Sequence, residues 1–206
     1  MTADDPASDA VPTDERSRRG RAGRGFSLSP ATPGQDISTG PEYVGPMSRA
    51  PQEMSRLRPA TRLRVAVTDG RGRHKSAGTL PTWLARVAPR TAVGVVAVAL
   101  VGDRKMRDLN RRFRAIDQVT DVLSFPADPA PVATGPGAAR FLGDIVIATG
   151  RAARQARAAG VTAQQEWRRL ALHGLLHLLG YDHERDDGRM QRLERRLQRC
   201  GGLPRD

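Results

Sequence analysis

A chain of 206 residues, 38% hydrophobic and 27% charged, has material for one medium domain, or one domain with a tail. Its single cysteine, Cys200, excludes an intramolecular disulfide, fits a reducing compartment and leaves histidine and carboxylate as the metal ligands on offer. The net charge of +12 lies wholly in residues 61–206, because residues 1–60 hold eight acidic and eight basic side chains; such an excess suits a polyanionic partner, RNA or DNA, and is equally what an Arg-rich chain from a GC-rich genome shows.

The first residues, Met1-Thr-Ala-Asp-Asp-Pro, are acidic, contain no apolar run and do not read as a secretory signal. Residues 1–60 are rich in Pro, Gly, Ser, Asp and Arg, and their apolar residues have no period. Such a segment cannot bury enough surface to offset its ordering entropy, so it reads as a disordered extension. The basic run Arg16 to Arg24 within it reads as a solvated tail, with RNA contact the alternative.

One domain is expected over 61–206. Leu63, Val65 and Val67 alternate with other residues and read as a strand. Pro81 fits the first turn of a short helix carrying Trp83, Leu84 and Val87. Val93 to Val101 is a β-branched run of strand length, about half the ~20 residues of a membrane span. Asp103 reads as an N-cap for a helix over 104–113, with Met106, Leu109 and Phe113 on one face. Asp121 to Pro126 is a strand ended by proline, 127–140 an Ala/Pro/Gly loop, and Leu142 to Ala148 a further strand. A helix over 150–159 stops at Gly160, and its Arg151, Arg154 and Arg157 read as a solvated face. Thr162 and Gln165 have capping-box spacing for a helix over 163–179, ended by Gly180, whose second half is almost wholly apolar. A last helix, about 186–199, places Met190, Leu193 and Leu197 on one stripe. The order β-α-β-α-β-β-α-α-α gives an α+β (mixed α/β) domain, with a small mixed sheet of about four strands and about five helices.

Three of the chain's four histidines fall within eleven residues, in His173-Gly-Leu-Leu-His177-Leu-Leu-Gly180-Tyr-Asp-His183. Residues four apart share a helix face, so His173 and His177 can aim at one point. Gly180 can take the left-handed conformation that ends the helix, after which His183 can swing back as a third ligand. Three imidazoles fill three positions of one tetrahedral zinc ion and leave the fourth for water, the pattern of a catalytic site; three imidazoles also accept nickel or copper. His74 stands apart in a Gly/Arg loop and reads as exposed. Asp182 and Glu184 flank His183, and Asp182 is the first candidate for a proton acceptor, with orientation of an imidazole as its alternative. Asp144 and Asp121 can orient an imidazole or cap turns. Tyr181 reads as packing on the histidine helix, and Phe113 and Phe125 as core rather than as stacking platforms.

The spacing resembles the metzincin proteases, which place a glutamate directly after the first histidine as general base. Here that position is Gly174, so a protease would lack its base. The segment resembles more closely the signature of the YbeY family of bacterial rRNA-maturation endoribonucleases, H-G-x-L-H-L-x-G-Y-D-H, and matches it at every fixed position. Two further blocks match in order and rough spacing: Leu109-Asn110 to Phe113-Arg114 to Thr120-Asp121-Val-Leu-Ser-Phe-Pro126, and Leu142-Gly-Asp144-Ile-Val. The resemblance covers about residues 61–200. Val119 departs from a proline common in the family, as do the composition of the 127–140 loop and the long N-terminal extension.

The resemblance implies a single-domain, zinc-dependent, single-strand-specific endoribonuclease with one zinc ion per chain. It implies action in maturation of the 3′ end of 16S rRNA and in ribosome quality control. The implied partners are a 16S rRNA precursor and the small ribosomal subunit with its assembly factors, in the cytoplasm and without a membrane. The family's functional arginine falls on Arg114, which would hold the charged oxygens of the reacting phosphate; from spacing alone Arg114 reads as an exposed arginine at a helix end. The alternatives are a zinc metalloprotease-like hydrolase and a non-catalytic, metal-containing ribosome-assembly factor.

Overall fold

The computed structural model describes residues 62–127, 139–183 and 185–204. The expectations for residues 1–60, for the basic run Arg16 to Arg24, for most of the 127–140 loop and for Glu184 lie outside these.

Four strands form one sheet: β1 (Leu63–Asp69), β2 (Gly94–Val101), β3 (Val122–Pro126) and β4 (Phe141–Ala148). Their order is β1-β2-β4-β3, with β1, β2 and β4 parallel and β3 antiparallel to β4 at the edge. The apolar run of β2 has the reason expected for a central parallel strand: all eight of its residues are buried, between two paired neighbours and two covered faces.

The helices are α1 (Leu80–Val87), α2 (Asp103–Arg114), α3 (Thr149–Ala159), α4 (Ala163–Leu178) and α5 (Arg189–Cys200). One face of the sheet, with Val96, Val98, Leu100, Ile145 and Ile147, packs against Leu80, Trp83 and Leu84 of α1 and Leu170, Leu172 and Leu175 of α4. The other face, with Ala99, Val101, Leu123, Val146 and Ala148, packs against Met106 and Leu109 of α2. Among the described residues, the α+β class, the four mixed strands and the five helices are those expected from the sequence, in the expected order. Among the described residues no helix is long and apolar enough to cross a membrane.

Local chemistry explains the element ends. Pro81 sits in the first turn of α1. The Thr162–Gln165 capping box is present in full: the Gln165 amide donates to Thr162 Oγ1 at 3.2 Å, and the Thr162 amide donates to Gln165 Oε1 at 2.8 Å.

Two ends differ from expectation. Asp103 is not the N-cap of α2; Gly102 is, and Asp103 is the first helical residue. Its carboxylate instead accepts from the Arg151 amide at 2.9 Å and the Arg154 guanidinium at 2.8 Å, so it caps α3, a different helix. Burial raises the Asp103 carboxyl's pKa, but bonds from Arg154, Arg151 and Gly150 outweigh it and hold the group below its usual range. Arg154 is therefore paired rather than merely solvated. The last helix starts at Arg189 and not near 186, because Gly188 takes φ 74° and Asp186 turns back to accept from the Met190 amide at 2.8 Å.

Two carboxylates in the sheet region prove structural in placement. Asp121 ties the start of β3 to α3: it accepts from its neighbour's amide, Val122, at 3.0 Å and from Gln155 Nε2 at 2.9 Å. Asp144 lies on the same face of β4 as Val146 and Ala148, the face opposite α4, so it does not orient an imidazole of that helix. It is 5% exposed, and its Oδ1 has no hydrogen-bond partner. Burial pushes its pKa up to about 7. A carboxyl that holds its proton in the fold and loses it in the unfolded chain makes stability fall as pH rises from about 4 to about 7. At 1.36 kcal/mol per pKa unit the full cost is roughly 4 kcal/mol. Asp144→Asn is therefore expected to melt above wild type at pH 8, by a margin that shrinks several-fold by pH 4.5, in paired thermal scans; an equal offset at both pH values would contradict this.

Candidate metal centre

α4 carries two chemistries on two sides. Ala171, Leu172, Leu175 and Leu176 are fully buried. His173 and His177 project from another side, and their Nε2 atoms stand 3.0 Å apart. Gly180, at φ 85°, ends the helix, with the Tyr181 amide reaching back to the Leu176 carbonyl at 3.1 Å. The turn returns His183 to the pair, with ring centroids 5.9 Å from His173 and 5.4 Å from His177. One nitrogen from each of the three rings lies within 4.8 Å of the others, and all three residues are half-buried.

This arrangement fits a metal ion on two observations. Two Nε2 atoms at 3.0 Å set two lone pairs against each other unless a proton or cation lies between them. His183 Nδ1 is buried without a partner. Neutral imidazoles are what a metal requires, and His177 is held neutral: burial first, then His173 and His183, push its pKa down to about 4 against the opposing pull of Asp182.

Sequence reasoning missed Glu194. From α5 it places both carboxylate oxygens 3.2 Å from His173 Nδ1. That contact sets the proton on Nδ1, which donates to the carboxylate, and leaves Nε2 free as a ligand. Gln198, one turn on, donates to Glu194 Oε1 at 3.3 Å and steadies it. The available signal was that Glu194 is the sole acidic residue of α5, set beside the apolar stripe at Leu193.

Asp182 lies beside the triad, near enough to favour the charged form of His177, and is ion-paired at long range with Arg185, at 3.7 Å. Arg114 is the last residue of α2 and is half-buried. Phe113 and Phe125 meet edge to face at 5.2 Å against the α2 core, as expected of core residues.

Gly174 faces the sheet and not the histidines. A Cβ there would lie 2.8 Å from Ile145 Cγ2 and 2.9 Å from Ser124 Oγ. The position that holds the metzincin base therefore has no room for a side chain of any kind. His74, by contrast, is exposed and remote from the cluster, bridged to Thr68 on β1.

Residues 78–200, more than half of the chain, match the family model described as Endoribonuclease YbeY. Among curated relatives named Endoribonuclease YbeY, that of Solibacter usitatus is 52% identical over 105 residues, covering 51% of this chain and 65% of its own. That of Myxococcus xanthus is 46% identical over 146 residues, covering 69% of this chain and 49% of its own. The chain thus spans about half to two thirds of the length of these relatives. The solution structure of TM1509 from Thermotoga maritima aligns with a TM-score of 0.45 at 25% identity, covering 68% of this chain and 89% of that one. By its matched residues and its identity to these relatives, the chain belongs to the YbeY endoribonuclease family.

Proposed function

We propose that this protein is a zinc-dependent, single-strand-specific endoribonuclease that acts in maturation of the 3′ end of 16S rRNA and in ribosome quality control. Its substrate would be a 16S rRNA precursor presented in the cytoplasm by the small ribosomal subunit and its assembly factors. The observation that carries the reading is the triad of His173, His177 and His183 in a chain of an endoribonuclease family. Among the described residues the group has three members, where a closed structural zinc site has four.

When bound, a zinc ion would acidify water and polarise a phosphoryl oxygen. The remaining work belongs to side chains. His173 is held in one tautomer by Glu194. Arg114 is proposed to hold two oxygens of the reacting phosphate through paired, charge-assisted bonds. Asp182, beside His177, is proposed to take or relay a proton.

The test is cleavage of a defined single-stranded RNA by wild-type and Arg114→Ala proteins purified in parallel. Wild type should cut, a chelator should stop it, and added zinc should restore it. Loss of the arginine is expected to lower kcat by about 10²–10³-fold with the circular dichroism spectrum unchanged. Equal cutting by both preparations, insensitive to chelator, would mark a contaminant and remove the reading.

A further inference from the structure

Helix α5 has one side turned to the candidate metal centre and another whose charges meet no carboxylate among the described residues. Met190, Glu194 and Gln198 face inward, with Glu194 on His173. Arg192, Arg195, Arg196 and Arg199 occupy the opposite side, at i, i+3, i+4 and i+7, and all four are exposed. None of them pairs with a carboxylate among the described residues; the Arg192 guanidinium donates to the Asp187 backbone carbonyl, at 2.9 Å. On α2, by comparison, two of the exposed cations meet carboxylates: Arg107 pairs with Asp117 at 2.7 Å and Arg111 with Asp108 at 3.6 Å.

Four like charges three and four residues apart destabilise a helix by about 0.2–0.5 kcal/mol per neighbouring pair. An ordinary solvated face lowers that cost by interspersing charges of opposite sign. A polyanion laid along α5 would remove it. The four residues span about 10 Å of helix axis, enough to meet several successive phosphates. Arg195 directly follows Glu194, so the basic face begins one residue from the side chain that orients a candidate ligand.

We propose that Arg192, Arg195, Arg196 and Arg199 of α5 form a phosphate rail that holds single-stranded RNA next to the histidine centre. The inference rests on the RNA-cleaving reading and adds where the strand lies. Its contribution is to affinity and not to the chemical step, because none of the four side chains belongs to the triad or to Glu194.

The experiment compares wild type with the fourfold variant Arg192→Gln/Arg195→Gln/Arg196→Gln/Arg199→Gln. Glutamine keeps helix propensity and adds no charge. Binding of a fluorescent single-stranded RNA is followed by anisotropy at several salt concentrations, and cleavage is measured separately. The variant should bind at least about tenfold more weakly at low salt. The slope of log K against log salt should flatten by about 3, at roughly 0.7 for each phosphate that is no longer neutralised. In cleavage the loss should fall on KM, with kcat retained. Unchanged affinity and slope in the variant, with wild type still cutting RNA, would overturn the rail and leave the enzyme reading intact. Wild-type binding with the expected slope but no cleavage would overturn the enzyme reading and keep the rail. Retained RNA binding with loss of binding to phosphatidylglycerol vesicles would mark the face as a membrane-surface contact and overturn the proposal. Circular dichroism and melting of both proteins exclude a folding defect.

Discussion

His177→Ala is expected to lose its metal and, with it, RNA cleavage by more than about 10²-fold, since even a partner that only orients a ligand is worth 10–100-fold. The ring stands 3.0 Å from His173 Nε2 and 5.4 Å, centroid to centroid, from His183, at the centre of the cluster. Removing it leaves two imidazoles, one on α4 and one in the turn, which hold an ion far less well than three. The fold should tolerate the change, because the burying side of α4 is Leu172, Leu175 and Leu176. The measurement is zinc stoichiometry by elemental analysis, together with melting in the presence and absence of zinc. Wild type should gain about 2.7 kcal/mol at a zinc concentration one hundred times its Kd, and the variant should gain nothing. A variant with one tightly held zinc per chain and wild-type activity would refute the assignment of the centre.

Gly174→Glu is the second large effect, and it is the substitution that would recreate the metzincin motif. It is expected to unfold or severely weaken the protein rather than confer proteolysis. A Cβ at that position already meets Ile145 Cγ2 at 2.8 Å and Ser124 Oγ at 2.9 Å. Pushing α4 off the sheet far enough for one methyl costs about 1–3 kcal/mol, and burying an unpaired carboxylate there adds several more. The helix shift would also carry His173 away from His183. Urea unfolding of wild type, Gly174→Ala and Gly174→Glu should give a descending series, with no peptide hydrolysis by any of them. Wild-type stability in the glutamate variant would show that this face of α4 is looser than its contacts indicate.

What the sequence revealed, it revealed through local rules. His173 and His177 are four apart on one helix, Thr162 and Gln165 cap that helix, and β2 is an unbroken apolar run; each signal lies within a dozen residues. What it concealed depended on contacts distant in the chain. Asp103 carries the residue type and position of an N-cap, yet its carboxylate bonds Arg151, 48 residues away, because α2 and α3 meet there. Glu194 is 21 residues from His173, on a helix whose other charges are all basic, and no spacing rule links the two. The start of α5 moved because Asp186 and Gly188 favour a turn where apolar periodicity alone extends a helix. Asp144 could be read from sequence as an orienting group because strand alternation does not say which face a helix will cover.

The three candidate ligands do not share one mechanical standing. His173 and His177 ride on a helix whose Leu172, Leu175 and Leu176 are wholly buried, so displacing them means undocking α4 from the sheet, close to global unfolding. His183 rides on a turn between α4 and α5, with Gly180 and Arg185 exposed on either side of it. Local opening of that turn would withdraw one candidate ligand of three while the other two stay in place. An ion held by the three side chains would then have a route of exchange that leaves the fold closed, and amide hydrogen exchange should be slower along α4 than at 181–183.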